Sequence, residues 1–417
     1  MPEFFNVLPP DDARKLLLEN ISPILDVEQL PSVAALDRVT SESVLAPQPL
    51  PEFRRSAMDG YAVRAADTHG AGESLPAFLQ VMGEVLMGKP AAINLEVGQA
   101  ALVHTGGMVP DSADAVVQLE HTQHVGSRNA AGFPFEIEVF RSVATGQNVI
   151  QIGEDIGQGH ILIPRGRLIR PQDIGGLLAL GITSVKVVSR PIVTILATGD
   201  EVVLPEANVR LGQIRDINSY TVAGQALRAG AKPNIMGIVP DDIDTLLAAA
   251  REGLKRGDML VISAGSSVSA RDMTVRVVEE LGNPGVLFHG VATRPGKPTI
   301  VGAVGGKPVI GLPGNPVSAM VQFDMLGVPA IYRLLGMDGM QSRNRSHARL
   351  GQNIASETGR EDYVPARLDQ VENITIAIPI FGKSNLITTL VQADCLIKVP
   401  LNKSGLVAGE LVEILLL

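Results

Sequence analysis

The sequence predicts a multidomain α/β protein with a central doubly wound α/β domain at about residues 190–335. Three nearly unbroken apolar runs are typical of strands buried on both faces of a sheet: 191–197, 234–239 and 258–263. Helical patterns alternate with them at 219–229, 243–255 and 274–281. This alternation indicates a parallel sheet covered by helices on both sides. The length of 417 residues also exceeds what one core supports, so further domains are expected.

Two further units flank this domain. Residues 1–50 and 148–189 form a predicted N-terminal mixed α/β domain, in which the segment 27–31 ends the first helix. Short valine-bearing strands and glycine turns at 51–147 indicate a β-rich lobe inserted into that domain. Residues 344–417 combine short alternating strands with glycine turns, which predicts a small C-terminal β-barrel or sandwich.

The composition excludes several classes of protein. A net charge of -9 argues against nucleic acid as the main partner, because this surface repels phosphate backbones. Aromatic residues make up only 3%, so the cores must be aliphatic. Cys395, the single cysteine, permits no internal disulfide or cysteine-rich metal site and is expected in a core. With no signal-like N-terminus and no apolar run of about 18 residues, we expect a cytoplasmic protein without a membrane partner.

Two proline-containing turns predict an anion site. Arg294-Pro-Gly-Lys-Pro298 precedes an apolar hairpin, and Gly311-Leu-Pro-Gly-Asn-Pro-Val-Ser-Ala319 then opens into an apolar helical run to residue 326. Asn315 suits an N-cap and Pro316 the first helical position. The amides that follow face an anion at the positive end of the helix dipole, beside Arg294 and Lys297. One such turn alone is more often a simple tight turn.

Acidic and small polar residues follow three successive strands of the predicted sheet. Ligands of open parallel sheets collect at the carboxyl ends of the strands. These ends carry Asp200 and Glu201, then Asp241 and Asp242, then the loop Ser263–Asp272 with Gly265 and Ser267. The mixture suits a phosphate held by backbone amides and lysine, with Mg²⁺ bridging it to carboxylates. A single acid at such a position is more often a helix N-cap.

Other candidate motifs are weaker. His121 and His124 have a spacing that suits zinc on a helix, but no third ligand is evident and their surroundings predict strands. His104, His160 and His289 are isolated and are interpreted as structural. A Walker-type phosphate loop is absent from the sequence, which argues against ATP hydrolysis of that kind.

Six motifs, in order along the chain, resemble those of the molybdopterin molybdenumtransferases (MoeA), whose fold is shared by the C-terminal domain of gephyrin. The two turns above supply two of them, as Pro295-Gly-Lys-Pro298 and Gly311–Ala319. The other four are Ser56-Ala-Met-Asp-Gly-Tyr-Ala-Val63, Thr105-Gly-Gly-Met-Val-Pro110, Gly153-Glu-Asp-Ile156 and Thr198-Gly-Asp-Glu201. The likeness extends into the last domain, at Gly382–Leu386 and Leu396–Pro400.

The resemblance implies insertion of molybdate into the dithiolene of adenylylated molybdopterin, with Mg²⁺ assistance and release of AMP. It also implies a homodimer, because the inserted lobe of one family subunit faces the α/β domain of the other and completes its site. A transient contact with the adenylyltransferase of the same pathway is a further expectation. Two alternatives remain: an enzyme that uses tungstate or performs the preceding adenylylation, and a cofactor-binding or scaffold protein without turnover.

The resemblance also implies roles for individual residues. Asp59 would be the essential acid of the lobe, with Thr105 and Asp155 lining its cleft. Mg²⁺ and the pyrophosphate or metal site would be surrounded by Glu201, Asp241, Asp242 and Asp272. The cofactor-binding set would be Ser263, Gly265, Ser267, Arg294, Lys297, Pro313, Gly314, Asn315, Pro316 and Ser318. The chain departs from the family pattern in the Ser263–Asp272 loop. It also departs at Arg294 and at Gly290, two positions where the family usually has lysine.

Overall fold

The computed structural model describes residues 7–128, 134–264, 268–337 and 345–417. Within these ranges the α-helices are α1 (Pro10–Glu19), α2 (Pro171–Ala179), α3 (Asn218–Arg228), α4 (Ile243–Arg256), α5 (Val268–Leu281), α6 (Pro316–Gln322), α7 (Val328–Leu334) and α8 (Thr388–Val391). None of the described helices is both long and apolar enough to span a bilayer.

The central sheet has six strands, and the predicted doubly wound fold is confirmed. Their order across the sheet is Lys232–Val239, Ile192–Thr198, Met259–Ser263, Lys307–Leu312, Ile300–Val304 and Pro284–His289. The first four are parallel, and the last two add antiparallel pairings. A separate short parallel pair, Val202–Val203 with Ile214–Arg215, lies in the loop after the first strand of the domain.

Helices cover both faces of this sheet, as the apolar runs require. On one face, α4 and α5 contribute Leu246, Ala250 and Val277 to a core with the strands. On the other, α3, α6 and α7 pack together with α1, which lies in the first predicted unit but buries Ala13 and Leu17 here. A π-helical turn, Phe323–Gly327, joins α6 to α7, so the predicted helical run continues beyond residue 326.

The segment 27–31 corrects one prediction, because it is a strand and not the end of a helix. Helix α1 ends at Glu19, and Val27–Pro31 pairs antiparallel with Ser184–Val188. Its residues alternate between exposed and half-buried, a weak pattern in only five residues. Its partner lies far along the chain, beyond the lobe, so no local signal marked the pairing.

The remaining strands before the central domain form two groups. Val44–Leu45 pairs with Ile161–Ile163, and Arg55–Ser56 pairs with Val149–Ile150. The β-rich stretch between Ser56 and Val149 along the chain forms a six-stranded sheet. Its strand order is Ala115–Gln118, Gly60–Val63, Gln99–Val103, Ala77–Glu84, Pro134–Val139 and Thr122–Arg128. Small aliphatic residues such as Ala62 and Ala100 fill its two cores, which suits a chain poor in aromatics.

The C-terminal region forms a closed five-stranded barrel, which confirms the predicted small β-barrel. The strands, in order around it, are Glu361–Val371, Ile374–Pro379, Arg345–Leu350, Leu411–Leu416 and Cys395–Val399, and the last pairs again with the first. A short pair, Ile354–Ala355 with Gly405–Leu406, lies beside it. The barrel also gains a strand from the central domain, because Thr293–Arg294 pairs in parallel with Glu361–Asp362.

Candidate functional site

The carboxyl ends of four parallel strands meet at one edge of the central sheet. Thr198 is aligned with Val239, Ala197 with Ser263, and Ser263 with Leu312. The loops that follow these strands carry the predicted strand-end acids, the Ser263 loop and the Pro313–Ser318 segment. The sheet therefore brings most of the predicted phosphate and metal residues to a common edge.

Asp200 and Asp241 come together at this edge. Asp200 Oδ1 accepts a hydrogen bond from the Asp241 backbone N at 3.3 Å, and the Thr198 hydroxyl donates to Asp241 Oδ1 at 2.7 Å. Gly199 makes the turn before them with φ +146°, and a Cβ there would lie 2.9 Å from the Glu201 carboxylate. Glycine is therefore required for this loop to turn beside its own acid.

Asp242 has a structural task. Its Oδ2 accepts hydrogen bonds from the Thr245 backbone N at 2.9 Å and the Thr245 hydroxyl at 2.6 Å, which makes it the N-cap of α4. The hydroxyl bond, followed by the backbone bond, lowers the pKa of Asp242. Asp272 lies exposed on α5, while Gly265 and Ser267 fall outside the described residues.

Asn218, which the sequence analysis missed, connects two of the ligand loops. Its Nδ2 donates to Ser263 Oγ and to Gly314 O, both at 2.9 Å. Asn218 begins α3, and the preceding Asp216 side chain accepts from the Ser219 backbone N at 3.1 Å. Asn218 is almost fully buried, and its Oδ1 has no partner. Only an Asp-Ile-Asn sequence just before a helix marked this residue, which is a weak signal.

The Arg294–Pro298 turn is attached to the central domain by Gln322 of α6. The Gln322 Nε2 donates to Thr293 Oγ1 at 2.9 Å and to Pro295 O at 3.1 Å, and this side chain is fully buried. Gly296, with φ +103°, packs against the Gln322 side chain. A Cβ at that position would come within 2.4 Å of Gln322 Cγ, so no other residue fits without displacement.

A cavity of about 1070 Å³ is lined by this turn and by the C-terminal barrel, which also meet directly where Arg294 pairs with Asp362. The predicted residues Arg294, Lys297, Pro313, Asn315 and Ser318 line it from the central domain. The barrel side contributes residues that the sequence analysis did not assign to the site: Glu357, Arg360, Asp362, Lys383 and Ser384. Four cations and two carboxylates therefore line one space, an excess of positive charge in a protein of net negative charge.

Asp362 joins two of these cations. The Arg360 Nε donates to Asp362 Oδ1 at 3.0 Å, and the Arg294 Nη1 lies 3.9 Å from Asp362 Oδ2. The Asp362 side chain is only 4% exposed. Since Arg294 and Asp362 are also register partners between the two domains, the strand pairing itself places the arginine beside the carboxylate.

The start of α6 differs in detail from the prediction. Asn315 occupies the N-cap position and Pro316 follows it, but the Asn315 side chain makes no capping bond. Its Nδ2 instead donates to Ser384 Oγ at 3.1 Å, and the Val317 backbone N donates to Ser384 O at 3.1 Å. The Ser384 carbonyl of the barrel therefore accepts a hydrogen bond from the Val317 amide, which was expected to be free for an anion. The case for an anion site therefore depends on the cations rather than on this helix end.

In the lobe, Asp59 and Thr105 are in contact. The Thr105 backbone N donates to Asp59 Oδ1 at 2.8 Å. His104, interpreted as structural, lies beside this pair, with Nδ1 3.7 Å from Asp59 Oδ1 and Nε2 2.6 Å from Glu84 Oε1. Asp155 is exposed on a turn that is bonded to residue 50. The bonds made by the Asp59 carboxylate remain within the lobe.

The two histidines considered for zinc, His121 and His124, contact other polar side chains. His124 Nε2 lies 3.0 Å from the Tyr61 hydroxyl, and His121 Nε2 lies 3.4 Å from Arg141 Nη1. Within the described ranges, no group of three or more His, Cys, Asp or Glu side chains could hold a metal ion.

Cys395 is fully buried in a barrel strand, and burial raises the pKa of its thiol to about 12.

Three family models together match most of the chain. The MoeA N-terminal region (domain I and II) matches residues 8–181, a probable molybdopterin binding domain matches 194–333, and the MoeA C-terminal region (domain IV) matches 347–417. The matched ranges include the lobe, the central sheet and the barrel.

Curated relatives and solved structures resemble the whole chain. A putative molybdopterin biosynthesis protein of Methanocaldococcus jannaschii is 36% identical over 99% of this chain and 98% of its own length. The molybdopterin molybdenumtransferase of Bacillus subtilis is 33% identical over 92% of this chain and 88% of its own. The crystal structure of a molybdopterin biosynthesis MoeA protein from Pyrococcus horikoshii OT3 is 31% identical, with a TM-score of 0.84 over 99% of this chain and 100% of that one.

Proposed function

The chain belongs to the MoeA family of molybdopterin molybdenumtransferases, and we propose that it inserts molybdate into the dithiolene of adenylylated molybdopterin, with release of AMP. Its place is therefore in molybdenum cofactor biosynthesis. The cavity beside the Arg294–Pro298 turn is the observation that carries the detailed proposal, because its four cations suit a small dianion.

We assign the oxyanion to this cavity. Arg294, Lys297, Arg360 and Lys383 can each donate to tetrahedral oxygens, and Ser384 adds a hydroxyl. The two arginines offer planar pairs of donors, whereas the lysines act as point charges. The Arg360 guanidinium is anchored by the buried Asp362, which fixes one of its edges and leaves other N–H groups for a ligand.

The pterin and its pyrophosphate belong to the strand ends in this proposal. Asn218 holds the Ser263 loop and the Gly314 turn together, and the second of these leads directly to the cavity wall at Asn315. A ligand that spans the two loops would therefore place its dithiolene end towards the cations. In this arrangement Ser263, Pro313, Gly314 and Pro316 would form the binding surface, and Gly265 and Ser267 are added to the proposal from the sequence alone.

Magnesium is compatible with the strand-end acids. Mg²⁺ is commonly held by one or two carboxylates together with substrate phosphates and water, and Asp200 and Asp241, which lie together at the strand ends, would supply such a pair. Glu201 and Asp272 would assist from the flanking loops, while Asp242 keeps one carboxylate oxygen outside its capping bonds. When bound, the ion neutralises charge on the pyrophosphate; the chain's contribution is to keep these carboxylates in place.

The lobe acids complete the proposal through a second copy of the chain. Asp59, Thr105 and Asp155 would meet the central domain of a partner in a homodimer with composite sites. We further propose that the dimer works in the cytoplasm, where its single buried cysteine needs no oxidising compartment. It would receive its substrate through transient contact with the adenylyltransferase of the pathway.

One incubation separates this proposal from its alternatives. Purified protein with adenylylated molybdopterin, Mg²⁺ and molybdate should release AMP at a rate that depends on molybdate. Release with tungstate alone would instead identify a tungstate enzyme, and adenylylation of free molybdopterin by ATP would identify the preceding step. Absence of AMP release with either oxyanion, together with tight binding of the pterin, would support the scaffold alternative.

A further inference from the structure

Arg360, on the barrel wall of the cavity, lies between two carboxylates of very different exposure. Its Nε donates to Asp362 Oδ1 at 3.0 Å, and its Nη1 lies 2.9 Å from Glu357 Oε2. The Asp362 side chain is 4% exposed, whereas that of Glu357 is 75% exposed. All three residues line the cavity.

The two ion pairs differ in how easily they separate. A buried carboxylate that loses its partner remains charged and poorly solvated, so Asp362 holds its arginine firmly. Exposed pairs contribute little, because water solvates both groups when they part. An anion that reached this guanidinium would therefore exchange with Glu357 and leave the Asp362 contact intact.

We propose that Glu357 is an internal competitor for the oxyanion, a residue that occupies Arg360 until the substrate displaces it. A carboxylate and a tetrahedral oxyanion both present paired oxygens to a guanidinium edge, so one N–H group can serve only one of them at a time. This inference rests on the proposed placement of molybdate in the cavity. Its consequence is a lower apparent affinity for oxyanions than the cations alone would give.

The variant Glu357→Gln tests the proposal by removing the charge with little change of shape. Calorimetric titration of the full-length protein with molybdate, and separately with sulfate, should show affinity about two- to five-fold tighter, the range of an exposed pair. In turnover, KM for molybdate should fall by the same factor, while kcat and KM for the adenylylated pterin stay unchanged. Replacing a residue with only a structural role would not lower KM for molybdate while leaving kcat and KM for the pterin unchanged.

A matched control excludes a general effect of lost negative charge. Glu413→Gln removes a carboxylate that pairs with Arg345 Nη1 at 3.0 Å on another barrel strand, outside the cavity lining. Its molybdate affinity should equal that of the parent chain. Equal tightening by both variants would overturn the proposal.

A double-mutant cycle with Arg360→Ala locates the effect. The gain from Glu357→Gln should disappear in the Arg360→Ala background, because the competition acts through that guanidinium. An undiminished gain would mean that Glu357 acts only by long-range repulsion, and the proposal would be wrong. If the parent binds molybdate and Glu357→Gln leaves its affinity unchanged, only this inference fails; if neither chain binds molybdate, the oxyanion cavity fails with it.

Discussion

Replacing Gly296 with alanine tests whether the cation turn is held in place by its contact with Gln322. The residue has φ +103°, and its Cβ would lie within 2.4 Å of Gln322 Cγ and Nε2. Because Gln322 is fully buried and bonded to the turn, it cannot move away without breaking those bonds. Either the turn shifts, and Lys297 shifts with it, or the turn loses its Gln322 anchor.

The magnitude follows from two terms. An L-residue in this backbone region costs about 1–2 kcal/mol, and overpacking a filled core costs about 1–3 kcal/mol. We therefore expect Gly296→Ala to lose about 2–5 kcal/mol of stability, seen as a lower melting midpoint by calorimetry, together with weaker molybdate binding.

Gly159→Ala is the matched control. Gly159 has φ +78° and no atom within 4 Å of its would-be Cβ, so only the backbone term of about 1–2 kcal/mol applies. Its molybdate affinity should not change. If the two variants melted alike and bound molybdate equally well, the reasoning about the Gln322 contact would be refuted.

Three further outcomes are expected. Lys297→Ala should weaken molybdate binding about ten-fold or more while the melting temperature is kept, because Lys297 is an exposed cation on the cavity wall; unchanged affinity would remove it from the site. Asp59→Asn should abolish AMP release with little loss of stability, since the exposed Asp59 can still accept the Thr105 bond; unfolding at growth temperature would show a structural role instead. Cys395, fully buried and with its pKa raised to about 12, should resist iodoacetamide at pH 8 until the protein is unfolded. Because the folded state favours the neutral thiol, the free energy of unfolding should decline as the pH rises from about 8.5 towards 12. Rapid native alkylation would contradict the buried placement.

The central domain could be predicted because its strands carry their own signal. A strand covered on both faces must be apolar throughout, and the runs at Ile192–Thr198 and Met259–Ser263 satisfy that requirement locally. Val27–Pro31 has no such requirement, since one side of it faces solvent, and its pairing partner lies beyond the lobe.

The candidate site was predictable only on its central-domain side. Strand-end loops and the Arg294–Pro298 turn follow from topology and turn chemistry. Arg360, Lys383 and Ser384 reach the same cavity because the barrel docks there. Lys383 and Ser384 lie in the Gly382–Leu386 motif, but that motif does not encode the tertiary contact. Asn218 was missed for the same reason, since its two acceptors lie on other loops.

The parallel pairing of Thr293–Arg294 with Glu361–Asp362 constrains how the cavity can admit a bulky ligand. The two domains share backbone hydrogen bonds along that edge, and the barrel residues Tyr363, Leu390 and Leu396 are buried in one core cluster with the central domain. They are also joined at α6 by the Val317–Ser384 and Asn315–Ser384 hydrogen bonds. Separating the barrel from α6 to admit such a ligand would break these two bonds and free the Val317 backbone amide, whereas the strand pairing would keep Arg294 beside Asp362.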